Sequence, residues 1–234
     1  SRRQRQMCIR DSNTLATDRS VRVLILSGAG GKSFIAGADI SKFESERASK
    51  EAVTQYNQMT KKVYDGVANF PKPTIAQIDG FCIGGGVGLA ASCDIRFCGT
   101  SSQFAIPAAK LGLGYEYEGV NRLVQIVGPA FTKEVFFTAR RFSAQEVASM
   151  GFVNKVIKDK DLASYCVEVA HMIAANAPLT IEATKFIANQ CILEESETDL
   201  DACSAKVMTC FESADYIEGR RAFMEKRTPI FEGK

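Results

Sequence analysis

"DGFCIGGGVGLAASCDIRFC", residues Asp79 to Cys98, sets three consecutive glycines between a strand-like run and a run of small residues that reads as a helix. Glycine has no Cβ, so such a junction lets the backbone approach a ligand closely, and the first N–H groups of the following helix have no acceptor within it. Ahead of it, "PKPTIAQI" (71–78) places two prolines before a β-branched run. Behind it, "DIRFCG" (94–99) and "SQFAI" (102–106) read as further short strands.

Toward the N-terminus, "VRVLILSG" (Val21 to Gly28) reads as a buried strand that ends in a loop. Residues 41–70 carry apolar positions at helical spacing among charges and predict one or two amphipathic helices. From Val120 onward the pattern turns helical through "VNRLVQIVG", "PAFTKEVFFTAR" and "SAQEVASMG", with one brief strand, "NKVI" (154–157). Alternating strands and helices followed by helices alone imply an α/β core with a C-terminal helical region. The expected divisions are a leader over 1–12, an α/β core over 13–140 and a helical region over 141–234. The leader, "SRRQRQMCIRDS", reads as non-native or disordered sequence and is kept out of the fold reasoning.

Composition narrows the function classes. A chain of 234 residues with 46% hydrophobic content can bury a sizeable core. A net charge of +2 with only short basic clusters gives no face suited to nucleic acid, so a small-molecule partner is expected. The eight cysteines are scattered singly, without a CxxC pair, and most lie in apolar runs. They read as reduced, small apolar residues of a cytoplasmic protein that holds no metal. The single histidine, His171, has no partner histidine and is expected on a helix face. No apolar run approaches the roughly 20 residues that span a bilayer, so no membrane partner is expected.

The glycines do not form a nucleotide cradle. "GAGGKS" (28–33) lacks the GxxxxGK[ST] spacing, and "GGGVG" does not match GxGxxG. N–H groups at a strand-to-helix junction can instead hold an oxyanion. One donor is rarely enough, and "AGAD" (Ala36 to Asp39), also small residues leading into a helix, is the candidate second source.

Four stretches in order, "SFIAGADISKF" (33–43), "KPTIAQIDGFCIGGGVGLAASCDIRF" (72–97), "FTARRFSAQEVASMGFVNKVI" (137–157) and "GRRAFMEKRTPIF" (219–231), resemble the crotonase superfamily of enoyl-CoA hydratases and isomerases. The resemblance implies a spiral of ββα turns with a C-terminal helical trimerisation region, a homotrimer or dimer of trimers, and an acyl-CoA thioester in an extended groove. Coenzyme A is then part of the substrate, and no separate cofactor is expected. The family's first strands are expected to be absent from this sequence. By match to the family's motifs, the N–H groups of Ala38 and Gly85 form the oxyanion hole, flanked by Ala36, Gly37, Asp39, Ile40 and Gly84. Phe223 and Lys226 match positions that approach the adenine and phosphates of coenzyme A.

The resemblance also marks a departure. Hydratases of the superfamily place two glutamates around the reacting water, and here those positions are Gly88 and Ala108. Neither can move a proton. "LGLGYEYEGVNRL" (111–123) offers other groups: Glu116 matches a catalytic aspartate of dienoyl-CoA isomerases, and Tyr115 matches a tyrosine of methylmalonyl-CoA decarboxylases. A carboxylate at 116, partly desolvated beside tyrosines, could exchange protons with an enolate. Asp94 reads as a structural cap and Arg122 as a helix-borne ion-pair partner. Three functions stay open: an enoyl-CoA hydratase/isomerase-type enzyme, a decarboxylase of a substituted malonyl-CoA, and a catalytically silent acyl-CoA-binding protein.

Overall fold

A computed structural model describes residues 14–37 and 49–234. Within these, β1 (Leu24–Ser27), β3 (Thr74–Ile78), β5 (Ile95–Gly99) and β8 (Lys155–Ile157) form an all-parallel sheet in the order β1-β3-β5-β8. A second sheet runs β2 (Ser33–Ile35), β4 (Phe81–Ile83), β6 (Gln103–Ala105) and β7 (Phe142–Ser143), parallel except for β7.

Successive strands from β1 to β6 alternate between the sheets, so neighbours within a sheet lie one full turn apart in the chain. Each turn closes with helical structure: α1 (Lys50–Ala68) after β2, α2 (Gly85–Ala91) after β4, and after β6 a 3-10 turn (Pro107–Leu111) leading to α3 (Tyr117–Thr138). This is the spiral of ββα turns that the sequence resemblance implies. Helices α4 (Ala144–Ser149), α5 (Leu162–Ala174), α6 (Pro178–Gln190), α7 (Leu200–Glu212) and α8 (Ala214–Glu225) complete the chain.

The strands are short because each needs only enough length to cross one layer. Four of the five residues of "TIAQI" in β3 are buried, as expected of a parallel strand covered on both faces. The main core joins Ile78, Cys82, Val87, Phe104, Leu123 and Phe142 between the second sheet, α2 and α3. A smaller one packs Ile75 and Phe97 under Leu162 and Cys166 of α5. Burying one such large side chain contributes about 1.5–3 kcal/mol.

The helical run from Val120 is interrupted inside α3, where Gly128 leaves helical geometry (φ 75°, ψ 169°) ahead of Pro129. Asp94 is structural, but as a clamp between elements rather than a helix cap. Its Oδ2 accepts from Thr74 N at 2.7 Å, Thr74 Oγ1 at 2.9 Å and Lys185 Nζ at 2.7 Å, tying β3 and the entry to β5 to α6. Arg96, 8% exposed, holds the other end of α2 by donating to Cys93 O at 2.6 Å and to Phe152 O at 2.6 Å. His171 is exposed on α5. No described helix is long and apolar enough to cross a membrane.

Candidate active site

Strands β2, β4 and β6 run parallel and adjacent, so their carboxyl ends open on the same side of the second sheet. In open α/β sheets such strand ends are where ligands collect. From β2 the chain continues to Ala36 and Gly37. From β4 it passes through Gly84 into α2, and from β6 through Ile106 to Pro107 and Ala108. The register Ile35↔Cys82 and Ile83↔Ala105 sets these three exits side by side.

The exit from β4 depends on glycine. Gly84 has φ 55° and ψ −111°, a conformation that L residues rarely adopt, and its N–H donates to Ala105 O at 2.7 Å. That turn aims the start of α2 outward and leaves Gly85 exposed. The N–H groups of Gly85 and Gly86, as the first two of the helix, have no acceptor within it. A Cβ on Gly86 would lie 2.9 Å from Ile35 O, so α2 starts directly against the end of β2. A Cβ on Gly37 would lie 3.7 Å from Ile83 Cγ2, which brings the chain after β2 alongside the same turn. Ala38, Asp39 and Ile40 lie outside the described residues. The structure thus brings together Ala36, Gly37, Gly84 and Gly85.

The segment that carries Tyr115 and Glu116 leads into α3: Glu116 is its N-cap residue and Tyr117 its first helical residue. Glu116 is exposed rather than desolvated, and its Oε1 accepts from Asn57 Nδ2 at 2.6 Å. Tyr115 packs edge-on to Phe136 with ring centroids 4.9 Å apart, while Tyr117 is 76% exposed. Glu118 is held below the usual carboxylate range by a backbone N–H at the helix start and by Lys61, 3.2 Å away.

Sequence reasoning missed the contribution of α1. Asn57, Lys61, Tyr64 and Asp65 fall at spacings of four, seven and eight, on one face of the helix. They meet Glu116, Glu118, Gly85 and Arg122 respectively. Arg122 is the expected ion-pair residue: its Nη2 lies 3.3 Å from Asp65 Oδ1 and its Nη1 donates to Ser92 Oγ at 3.0 Å. Lys61, between Glu118 and Asp65, is raised above the ordinary lysine range by those two carboxylates.

Of the two positions that would carry glutamates in the hydratases, Ala108 is buried in the 3-10 turn and Gly88 lies under the Tyr64 ring. Phe223 is 82% exposed on α8, and Lys226 is that helix's left-handed C-cap. Phe223 borders a cleft of about 890 Å³ lined wholly by residues 177–231, including Leu179, Phe211 and Phe231. Among the described residues, no three metal-ligating side chains cluster.

Comparison with known proteins finds relatives over nearly the whole chain. The family model described as enoyl-CoA hydratase/isomerase matches residues 5–234. A short-chain-enoyl-CoA hydratase of Clostridium acetobutylicum is 34% identical over 213 residues, 91% of this chain and 81% of that protein. A carnitinyl-CoA dehydratase of Escherichia coli K12 is 35% identical over 221 residues, 93% of this chain and 84% of that protein. A crystal structure of an enoyl-CoA hydratase/carnithine racemase from Magnetospirillum magneticum superposes with a TM-score of 0.91 at 36% identity, covering 98% of this chain and 85% of that one.

Proposed function

This chain belongs to the enoyl-CoA hydratase/isomerase family of the crotonase superfamily, and from that premise we propose that it stabilises an acyl-CoA thioester enolate in a backbone hole at Gly85 and Ala38, with Glu116 moving the proton. The observation that carries the reading is the convergence of the β2 and β4 exits, with Gly85 exposed on a first helical turn built against the end of β2.

The chemistry follows from charge. A thioester carbonyl that accepts from two backbone N–H groups carries developing negative charge at low cost, and one such donor is worth roughly 3 kcal/mol of barrier. Carbon–hydrogen bonds conjugated to that carbonyl become acidic. Glu116 takes the proton at one carbon and returns it at another.

Position favours a shift of the double bond within this family. Asn57, which holds Glu116, and Tyr64, which touches Gly85, are seven residues apart on α1, about 10 Å along its axis. A carboxylate displaced that far along the groove addresses acyl carbons beyond those next to the carbonyl. Hydration beside the carbonyl would need proton carriers where this chain has Gly88 and Ala108. Exposed Met208, Phe211, Ile217 and Met224 on α7 and α8 support burial of this helical region in a homotrimer or dimer of trimers.

The test is mass-spectrometric product analysis with enoyl-, dienoyl-, branched and malonyl-type CoA thioesters. An isobaric product with altered retention is expected, and Glu116→Gln should slow its formation about 100-fold with binding unchanged. Gain of water or loss of carbon dioxide would redirect the reaction type. Binding of every thioester without turnover would overturn the enzymatic reading.

A further inference from the structure

Helix α2 carries the proposed oxyanion donor, yet little in its own sequence fixes its first turn. It has seven residues, begins with Gly85 and Gly86 after Gly84, and has no side-chain N-cap bond. Glycine backbone is soft, and a donor that must meet a developing charge within a few tenths of an ångström needs external support.

Tyr64, two turns along α1 from Asn57, supplies a side-chain contact at that turn. Its hydroxyl donates to Gly85 O at 2.9 Å. Its ring closes directly on the helix: a Cβ on Gly88 would come within 2.8 Å of Cζ and Oη, and a Cβ on Gly85 would lie 3.1 Å from Oη. The glycines at 85 and 88, three apart on one helix face, therefore make room for the phenol. The phenol is backed in turn by Arg122, whose guanidinium carbon is 6.0 Å from the ring centroid. Arg122 also reaches Asp65, beside Tyr64, and Ser92, whose Oγ donates to Gly88 O at 2.9 Å. Two helices thus hold α2: α1 directly, through Tyr64 on Gly85 O, and α3 through Arg122 on Ser92, the C-cap residue that bonds Gly88 O.

We propose that Tyr64 is a positioning residue for the oxyanion donor, its hydroxyl on Gly85 O setting the orientation of the first turn of α2 while its ring claims the space over Gly88. The bond also has an electronic consequence. A donor on Gly85 O polarises the peptide unit that carries the Gly86 N–H, in the same sense as the helix dipole, and so reinforces the positive helix start beside the Gly85 donor. The inference rests on the oxyanion-hole reading above.

The test is isotope-edited infrared spectroscopy of butanoyl-CoA labelled with carbon-13 at the thioester carbonyl, bound to wild type and to Tyr64→Phe. In wild type the carbonyl stretch should fall on binding. In Tyr64→Phe about half of that shift should be lost, with kcat down about tenfold on the substrate turned over and KM within about twofold. Thermal stability should change by no more than about 4 °C, the scale of a single net hydrogen bond. A wild-type shift retained in full by Tyr64→Phe, with kcat unchanged, overturns the role of Tyr64 alone. Absence of any shift in wild type overturns the oxyanion-hole reading, and this inference with it. Gly88→Ala provides an independent variant: it must push the ring aside, so it should reduce the shift in wild type and have no further effect in a Tyr64→Ala background. Equal effects in both backgrounds would contradict the coupling.

Discussion

The side-chain amide of Asn57 donates to Glu116 Oε1 at 2.6 Å, joining α1 to the start of α3 across 59 residues of sequence. The bond fixes one carboxylate oxygen and selects the rotamer that the proposed proton carrier presents. Asn57→Ala should therefore lower kcat about fivefold, less than Glu116→Gln, and should add nothing further once Glu116 is glutamine. Steady-state kinetics of the two single variants and the double variant check this.

Asp94 accepts three hydrogen bonds through one oxygen, and Lys185, whose side chain is only 10% exposed, donates both to it and to Lys72 O. Asp94→Ala leaves a nearly buried ammonium without its carboxylate and should cost about 3 kcal/mol, read as a lower urea midpoint at unchanged slope. The folded fraction should keep its kcat, because Asp94 holds strands and not substrate.

The buried thiols set a limit at high pH. Burial pushes Cys93 and Cys98 up to about 12 and Cys166 up to about 11 from the ordinary 9.0, and raises Cys82 as well. These thiols stay protonated in the folded chain after the unfolded chain has begun to ionise. Their contribution to stability is complete below pH 9 and is lost as pH rises toward 11–12. At pH 8, a thiol reagent should label the exposed Cys191 well ahead of the four buried thiols, by peptide mapping.

Acid acts on a different group. Glu146 forms a capping box with Ser143 and also meets Arg140 at 2.7 Å; the Ser143 N–H is the larger influence, and together they lower its carboxyl from 4.5 to about 2. A lowered pKa contributes stability that is present above 4.5 and lost as pH falls toward 2. Glu146→Gln should flatten that part of the acid unfolding curve.

Much of this was legible in the sequence, for physical reasons. The glycine triad and "AGA" announce close backbone approach, and the short β-branched runs announce strands. Which sheet a strand of three to five residues joins is not local information, so the alternation of β1 to β6 between two sheets came only through resemblance. Tyr64 and Asn57 escaped because α1 buries no residue completely and reads as an ordinary surface helix. The available signal was Asn57, Lys61, Tyr64 and Asp65 sharing one polar face, but their partners lie 21 to 59 residues away. Glu116 was placed beside tyrosines that in fact turn away, Tyr115 onto Phe136 and Tyr117 into solvent.

The central claim, an enolate formed in the Gly85 hole with Glu116 as proton carrier, is tested most directly by hydrogen–deuterium exchange into bound acyl-CoA. An unsaturated acyl-CoA thioester incubated with the protein in deuterated buffer should gain deuterium at carbons conjugated to the carbonyl, and Glu116→Gln should slow that gain about 100-fold while binding is retained. A thioester that binds tightly and gains no deuterium, or one that exchanges equally fast with Glu116→Gln, would contradict the account.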